Sequence, residues 1–183
     1  MLKIVVPAWE DWDPTANKFV EGTETRLTLE HSLVSVSKWE SKYHKPFLNE
    51  ESKTAEEMLD YIKFMTIPHL SSKFDDSVFL HLTQDNIKQI EDYIGDPMTA
   101  TTFSNNQMRP GKKEVITSEV IYYWMVSYGI PFECQRWHLN RLITLVRVLG
   151  IKNAPPKKMG KRDIMAQNKS LNAARRAKYH SRG

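Results

Sequence analysis

The chain has 183 residues, 40% of them hydrophobic, enough to bury one sizeable core with appendages. Its single cysteine, Cys134, excludes an intramolecular disulfide framework and fits a reducing compartment. The formal charge of +4 conceals opposite ends: residues 152–183 carry ten Lys/Arg against one acid, Asp163, about +9, whereas the remainder holds 16 Lys/Arg against 21 Asp/Glu, about −5.

Leu2 to Val6 is a β-branched run closed by Pro7, and Thr25 to His31 alternates polar with apolar at period two. With Asp13-Pro14 and Glu21-Gly22 as turn signals between them, the two segments are expected to form a small antiparallel pair that must pack on helices. Ser32 to His44 reads as a helix with Leu33, Val36 and Trp39 or Tyr43 inward, ended by Pro46. Thr54 and Glu57 match a capping box, and a helix over about 55–65 turns Met58, Leu59, Ile62 and Met65 inward. A loop after Pro68 leads to a short segment at Val78 to Leu82. Thr83 is the expected N-cap of a helix that runs through Ile87, Ile90 and Ile94 and closes at Gly95 and Pro97.

Met98 to Gly111 lacks periodicity and reads as an exposed loop. The core is expected in Val115 to Leu149. Thr117 or Ser118 starts one helix through Val120, Ile121, Tyr123, Trp124 and Val126, which Gly129 ends. Pro131 then opens a second helix, Phe132 to Leu149, so that the pair forms a hairpin or a sharp bend. Apolar residues fall on nearly every side of this second arm, at Leu139, Leu142, Ile143, Leu145, Val146, Val148 and Leu149, which marks it as central or as half of an interface. Beyond Pro156 the chain has helix formers but few large apolar residues. The fold expected is therefore α+β, mainly α: a small N-terminal antiparallel β pair (1–31) packed on a helical body (32–151), one globular domain, with a basic C-terminal helix or arm over 152–183.

Candidate chemistry is sparse. Cys134 and His138 lie four apart, as two metal ligands on one helix face would, yet no second Cys/His pair completes a tetrahedral site, and a core thiol beside a satisfied histidine is the plainer reading. His31, His44, His69 and His81 are scattered and suggest no catalytic grouping. Trp9 and Trp12 sit in an acidic run, either as partner anchors or as a loop folded over the edge of the strand pair; the loop is favoured. Ser37 to Tyr43 mixes bases with aromatics, as single-strand binders do, but Glu40 and the helical spacing favour a half-buried amphipathic face. Phosphate loops and a zinc-protease helix are absent, and neither cofactor nor metal is expected. The N-terminus is too short and too soon interrupted for a signal peptide, and no apolar run has a membrane-spanning length, so a soluble cytoplasmic protein is expected.

Several runs carry a resemblance: Leu29 to Lys42 (LEHSLVSVSKWESK), Ile121 to Met125 (IYYWM), Ile130 to Gln135 (IPFECQ), Trp137 to Leu142 (WHLNRL), Lys152 to Met159 (KNAPPKKM) and Leu171 to Arg176 (LNAARR). Over most of its length the chain resembles the tail assembly chaperones encoded in the tail gene modules of long-tailed bacteriophages (siphophages). The resemblance implies a non-enzymatic factor that coats the helical tape measure protein, helps recruit tail tube protein, works in the host cytoplasm and is absent from the mature virion. It brings no catalytic motif. The residues themselves suggest Trp124, Tyr128, Phe132 and Trp137 as an apolar binding surface and Lys157, Lys158, Lys161, Arg162, Arg175 and Arg176 for electrostatic capture, and the resemblance implies that apolar segments of the tape measure protein would be held there. Self-association is a further option. The alternatives are a structural head or tail protein of the virion and, third, a nucleic-acid-binding module acting through the tail.

Overall fold

In the computed structural model the described residues are 1–15, 17–49, 52–67, 75–103, 115–154 and 160–180, the side chain of Asp163 apart. The fold is α+β and mainly helical, with two small antiparallel strand pairs at the N-terminus and helices α1 (Leu33–Tyr43), α2 (Ala55–Met65), α3 (Gln84–Gly95), α4 (Ser118–Ser127), α5 (Leu139–Lys152) and α6 (Lys161–Tyr179). Two compact units make up the chain, Met1–Leu149 and Gly150–Gly183.

Strands β1 (Leu2–Val6) and β4 (Thr25–Leu29) pair antiparallel, Leu2 opposite Leu29 and Val6 opposite Thr25. The segment between them, expected to turn, is itself a ladder of β2 (Trp9–Asp13) with β3 (Lys18–Gly22). Glu21-Gly22 thus lies in a strand and is no turn. The register does not slip between the ladders: Val6 faces Thr25 and, three residues on, Trp9 faces Gly22, so one long hairpin is interrupted only around Pro7-Ala8. Proline has no N–H for the ladder, which accounts for the break. At the far end the chain turns through Asp13, whose Oδ1 accepts the Thr15 N–H at 2.8 Å, and Asn17 in the left-handed region at φ 50°.

Gly22 answers a packing need. A Cβ there would stand 2.1 Å from the Trp9 ring, which crosses the strand pair over the glycine and stacks on His81 with centroids 3.8 Å apart.

The base of the hairpin buries Ile4, Val6, Leu27 and Leu29 against the helices. Helix α1 is central: Leu33, Val36 and Trp39 are buried, and it packs on α2, on α4 and on the 3-10 turn Phe132–Arg136. The Trp39 indole donates to the Glu57 carbonyl at 2.9 Å, so the amphipathic reading of Ser37 to Tyr43 holds and this tryptophan offers no stacking platform. The expected capping box at Thr54 is present, and the expected N-cap Thr83 also forms one. Thr54 Oγ1 accepts the Glu57 N–H and Glu57 Oε2 accepts the Thr54 N–H; Thr83 and Asn86 do the same for α3. Asn86 also donates to the Val5 carbonyl at 3.2 Å and so ties α3 to β1.

The inward faces differ in part from the periodicity. On α2, Tyr61 joins Ile62 and Met65 inside, while Met58 and Leu59 are half-buried; on α3, Asn86 and Tyr93 accompany Ile90, and Ile87 is exposed. In each helix a buried polar or phenolic group finds a hydrogen bond inside and takes a place that hydrophobicity alone would give to an aliphatic residue.

The expected long arm from Phe132 to Leu149 is two pieces, the 3-10 turn and α5, with Trp137 extended at φ −68°, ψ 160° between them. The helix breaks because the Leu139 N–H is drawn to the His31 carbonyl, 2.9 Å away, and His138 turns its Nε2 to the Tyr93 carbonyl, also 2.9 Å. Gly129 does end α4, as a Schellman motif: φ is +65°, Gly129 N–H reaches the Val126 carbonyl and Ile130 N–H the Met125 carbonyl. Buried residues come from every part of unit 1, so the core is not confined to Val115–Leu149. Much of the Met98 to Gly111 loop, with Pro68, His69, Pro155 and Pro156, lies outside the described residues.

Glu40 fastens the helices together. Only 7% exposed, its carboxylate accepts the Phe47 N–H and the Ser118 N–H, each at 2.7 Å, joining α1 to the segment after it and to the first turn of α4. Glu40→Ala would leave two buried N–H groups without partners and is expected to cost about 3 kcal/mol in urea unfolding, with Glu40→Gln, which keeps one acceptor, losing about half as much.

Candidate functional site

Helix α4 turns Ser118, Ile121 and Met125 inward at a spacing of three and four. That spacing sends Tyr123 and Val126 outward, where they are 68% and 64% exposed. Tyr122 leans across to the following 3-10 turn, its hydroxyl donating to Gln135 Oε1 at 2.9 Å and its ring 6.4 Å from that of Phe132. Phe132 itself is 55% exposed. The result is an aromatic and aliphatic surface on α4 and the adjoining turn, held from beneath by the core.

Of the four aromatics expected at this surface, only Phe132 is exposed. Trp124, Tyr128 and Trp137 are half-buried and pack against the core, and Trp137 carries the Arg141 guanidinium 4.3 Å over its ring. They underpin the surface more than they compose it. Tyr123 and Val126 were legible in principle, because with Ile121 and Met125 inward they fall on the outer face.

The basic arm contains α6, whose described residues, the Asp163 side chain apart, are all exposed. Lys161, Arg162, Arg175 and Arg176 lie on this helix; Lys157 and Lys158 fall outside the described residues. Arg162, Met165, Lys169, Asn172, Arg176 and Tyr179 recur at alternating spacings of three and four, which draws them into one stripe along the helix.

The two tryptophans of the acidic run part company. Trp9 is drawn in against His81, whose Nε2 lies 3.2 Å from Asp11 Oδ2, whereas Trp12 is 49% exposed and meets Phe19 across the strands, edge to face, with centroids 4.9 Å apart. Both sit on a strand rather than a covering loop.

Sequence reasoning also missed a buried cluster. His31, 2% exposed, sits with its ring 4.9 Å from that of His138, and its Nδ1 is 2.6 Å from the Tyr61 hydroxyl. Burial pushes the Tyr61 phenol up, so it stays protonated beside His31. Burial first, and His138 second, hold the His31 imidazole down at about 3; burial also lowers His138. His31 and Tyr61 are buried, and His138 is half-buried. Cys134 lies buried in the core, and the break before α5 takes it off any helix face shared with His138. Among the described residues no three His, Cys, Asp or Glu side chains are grouped to hold a metal ion, and none of the described helices is long and apolar enough to cross a membrane.

Comparison with protein-family models, with curated proteins and with solved structures finds no match.

Because burial lowers the His31 value below the 6.5 of an unfolded histidine, the unfolded chain takes up protons first on acidification. Stability is therefore complete above about pH 6.5 and is lost as the pH falls towards 3, at roughly 1 kcal/mol per pH unit for this group. Urea midpoints at pH 7 and pH 5 are expected to differ accordingly, and His31→Gln to flatten the difference. Trp124→Ala is expected to lower stability by about 2 kcal/mol through lost packing, and Phe132→Ala to stay within about 0.5 kcal/mol of wild type, both measured by urea denaturation.

Proposed function

We propose that this chain is a tail assembly chaperone of a long-tailed bacteriophage: a non-enzymatic factor that holds apolar segments of the tape measure protein and assists tail tube assembly. It acts in the host cytoplasm and leaves before the virion is complete. The observation that carries this reading is an exposed apolar surface at Tyr123, Val126 and Phe132 over a buried core, in a chain whose arm is a basic helix without a buried face. An amphipathic helix laid on such a surface buries its apolar stripe, and a few large side chains supply most of the affinity. The arm adds long-range attraction for acidic stretches of the same partner, which acts on the association rate. Trp124, Tyr128 and Trp137 keep the surface in shape from below.

The decisive experiment co-expresses this chain with the tape measure protein of its own genome. Soluble tape measure protein that co-purifies with the chain is the expected result; an aggregated tape measure protein beside a soluble chain would favour a permanent structural protein, which mass spectrometry would then find in purified virions. Tyr123→Ser with Phe132→Ser is expected to weaken capture of a soluble tape measure segment at least about tenfold while leaving the thermal midpoint near wild type. Replacing Lys157, Lys158, Lys161, Arg162, Arg175 and Arg176 with Ala is expected to slow association in stopped-flow at low salt and to change little at high salt.

A further inference from the structure

The β2–β3 ladder has two unlike faces. Trp9, Asp11, Val20 and Gly22 alternate onto one, where Trp9 and Asp11 meet His81. Glu10, Trp12, Phe19 and Glu21 alternate onto the other, and all four are exposed.

This second face carries two features that a solitary hairpin tip does not favour. Trp12 and Phe19 leave an aromatic pair in water, 49% and 62% exposed. Beside it Glu10 stands directly opposite Glu21, a like-charge pairing that destabilises a ladder, and no Lys or Arg among the described residues pairs with either carboxylate. An aromatic pair next to two unneutralised carboxylates is a surface for a cation on an apolar stem.

The same chain supplies such a group. Along α6 the stripe Arg162, Met165, Lys169, Asn172 and Arg176 interleaves basic heads with aliphatic length, and every one of these side chains is exposed. The helix is about 28 Å long, so two or three of its turns span the tip. Guanidinium and ammonium groups over Trp12 and Phe19 gain cation–π attraction, and the same heads reach the paired carboxylates.

We propose that the acidic aromatic tip of one copy docks on helix α6 of a second copy, giving a heterologous, tip-to-arm self-association. Each copy offers one tip and one arm, so the contact propagates into chains or closes into a ring. The partner that covers each surface is then the other, and the opposite charges of the two ends of the chain become the basis of assembly. This inference is independent of the tape measure reading, since both components are present in the purified chain.

Sedimentation velocity over a range of concentrations tests it. Wild type is expected to associate with rising concentration at low salt and to dissociate as salt is raised. Trp12→Ser with Phe19→Ser is expected to weaken association at least about tenfold, as is Lys169→Glu with Arg176→Glu. Glu10→Gln with Glu21→Gln removes an opposed like-charge pair, so it does not threaten the hairpin, and is expected to weaken association several-fold and to reduce its salt dependence. The tip variant keeps a sound arm and the arm variant keeps a sound tip; mixing them is expected to yield a one-to-one heterodimer, whereas each alone stays monomeric. A wild type that is monomeric at every concentration, as it would be with its arm on its own tip, overturns the proposal. So does association that both variants leave unchanged, or a mixture that stays monomeric.

Discussion

Four consecutive buried residues, Leu29 to Ser32, set the terms for the rest of the fold. None exceeds 8% exposure, and a peptide segment taken that far from water needs a partner for each polar group, because an orphan costs about 1–3 kcal/mol. The partners come from distant parts of the sequence. Glu30 N–H reaches the Met65 carbonyl at the end of α2, the Tyr93 hydroxyl of α3 lies 3.4 Å from the His31 N–H, and the His31 carbonyl receives the Leu139 N–H that begins α5. Ser35 closes the segment locally, accepting from the Ser32 N–H and donating to the Glu30 and Ser32 carbonyls. One strand-to-helix junction thus gathers the ends of three other helices, and the turn before α5 breaks where this junction needs the Leu139 N–H.

Glu40 acts one helix further along. By accepting the Ser118 N–H it places the first turn of α4 on α1, and the helical period then decides which α4 side chains enter the core. Tyr123 and Val126 stay outside as a consequence. The exposed apolar surface of α4 therefore depends on a buried carboxylate that lies outside it.

Charge is distributed on a different principle. The carboxylate of Glu40 is buried and hydrogen-bonded, whereas Glu10 and Glu21 of the hairpin tip and the basic side chains of α6 are exposed. Exposed charge contributes little to the stability of a single copy. Between copies, or towards a charged partner, it governs how fast and how selectively surfaces meet.

Local signals determined a good deal. The capping residues at Thr54 and Thr83, the stop at Gly129, the inward Leu33 and Val36 of α1, and the basic character of the arm all rest on neighbours within a few residues, and each is legible from the chain alone. Only the tertiary structure decided that Trp9 turns inward and Trp12 outward, that Tyr61, Tyr93 and Glu40 are buried, that two distant histidines touch, and that the arm expected from Phe132 breaks at Trp137. Hydrophobic periodicity reports which face of an element avoids water, but whether His31, Tyr61 and Glu40 can enter the core depends on particular partners, here often more than forty residues away, that satisfy them there.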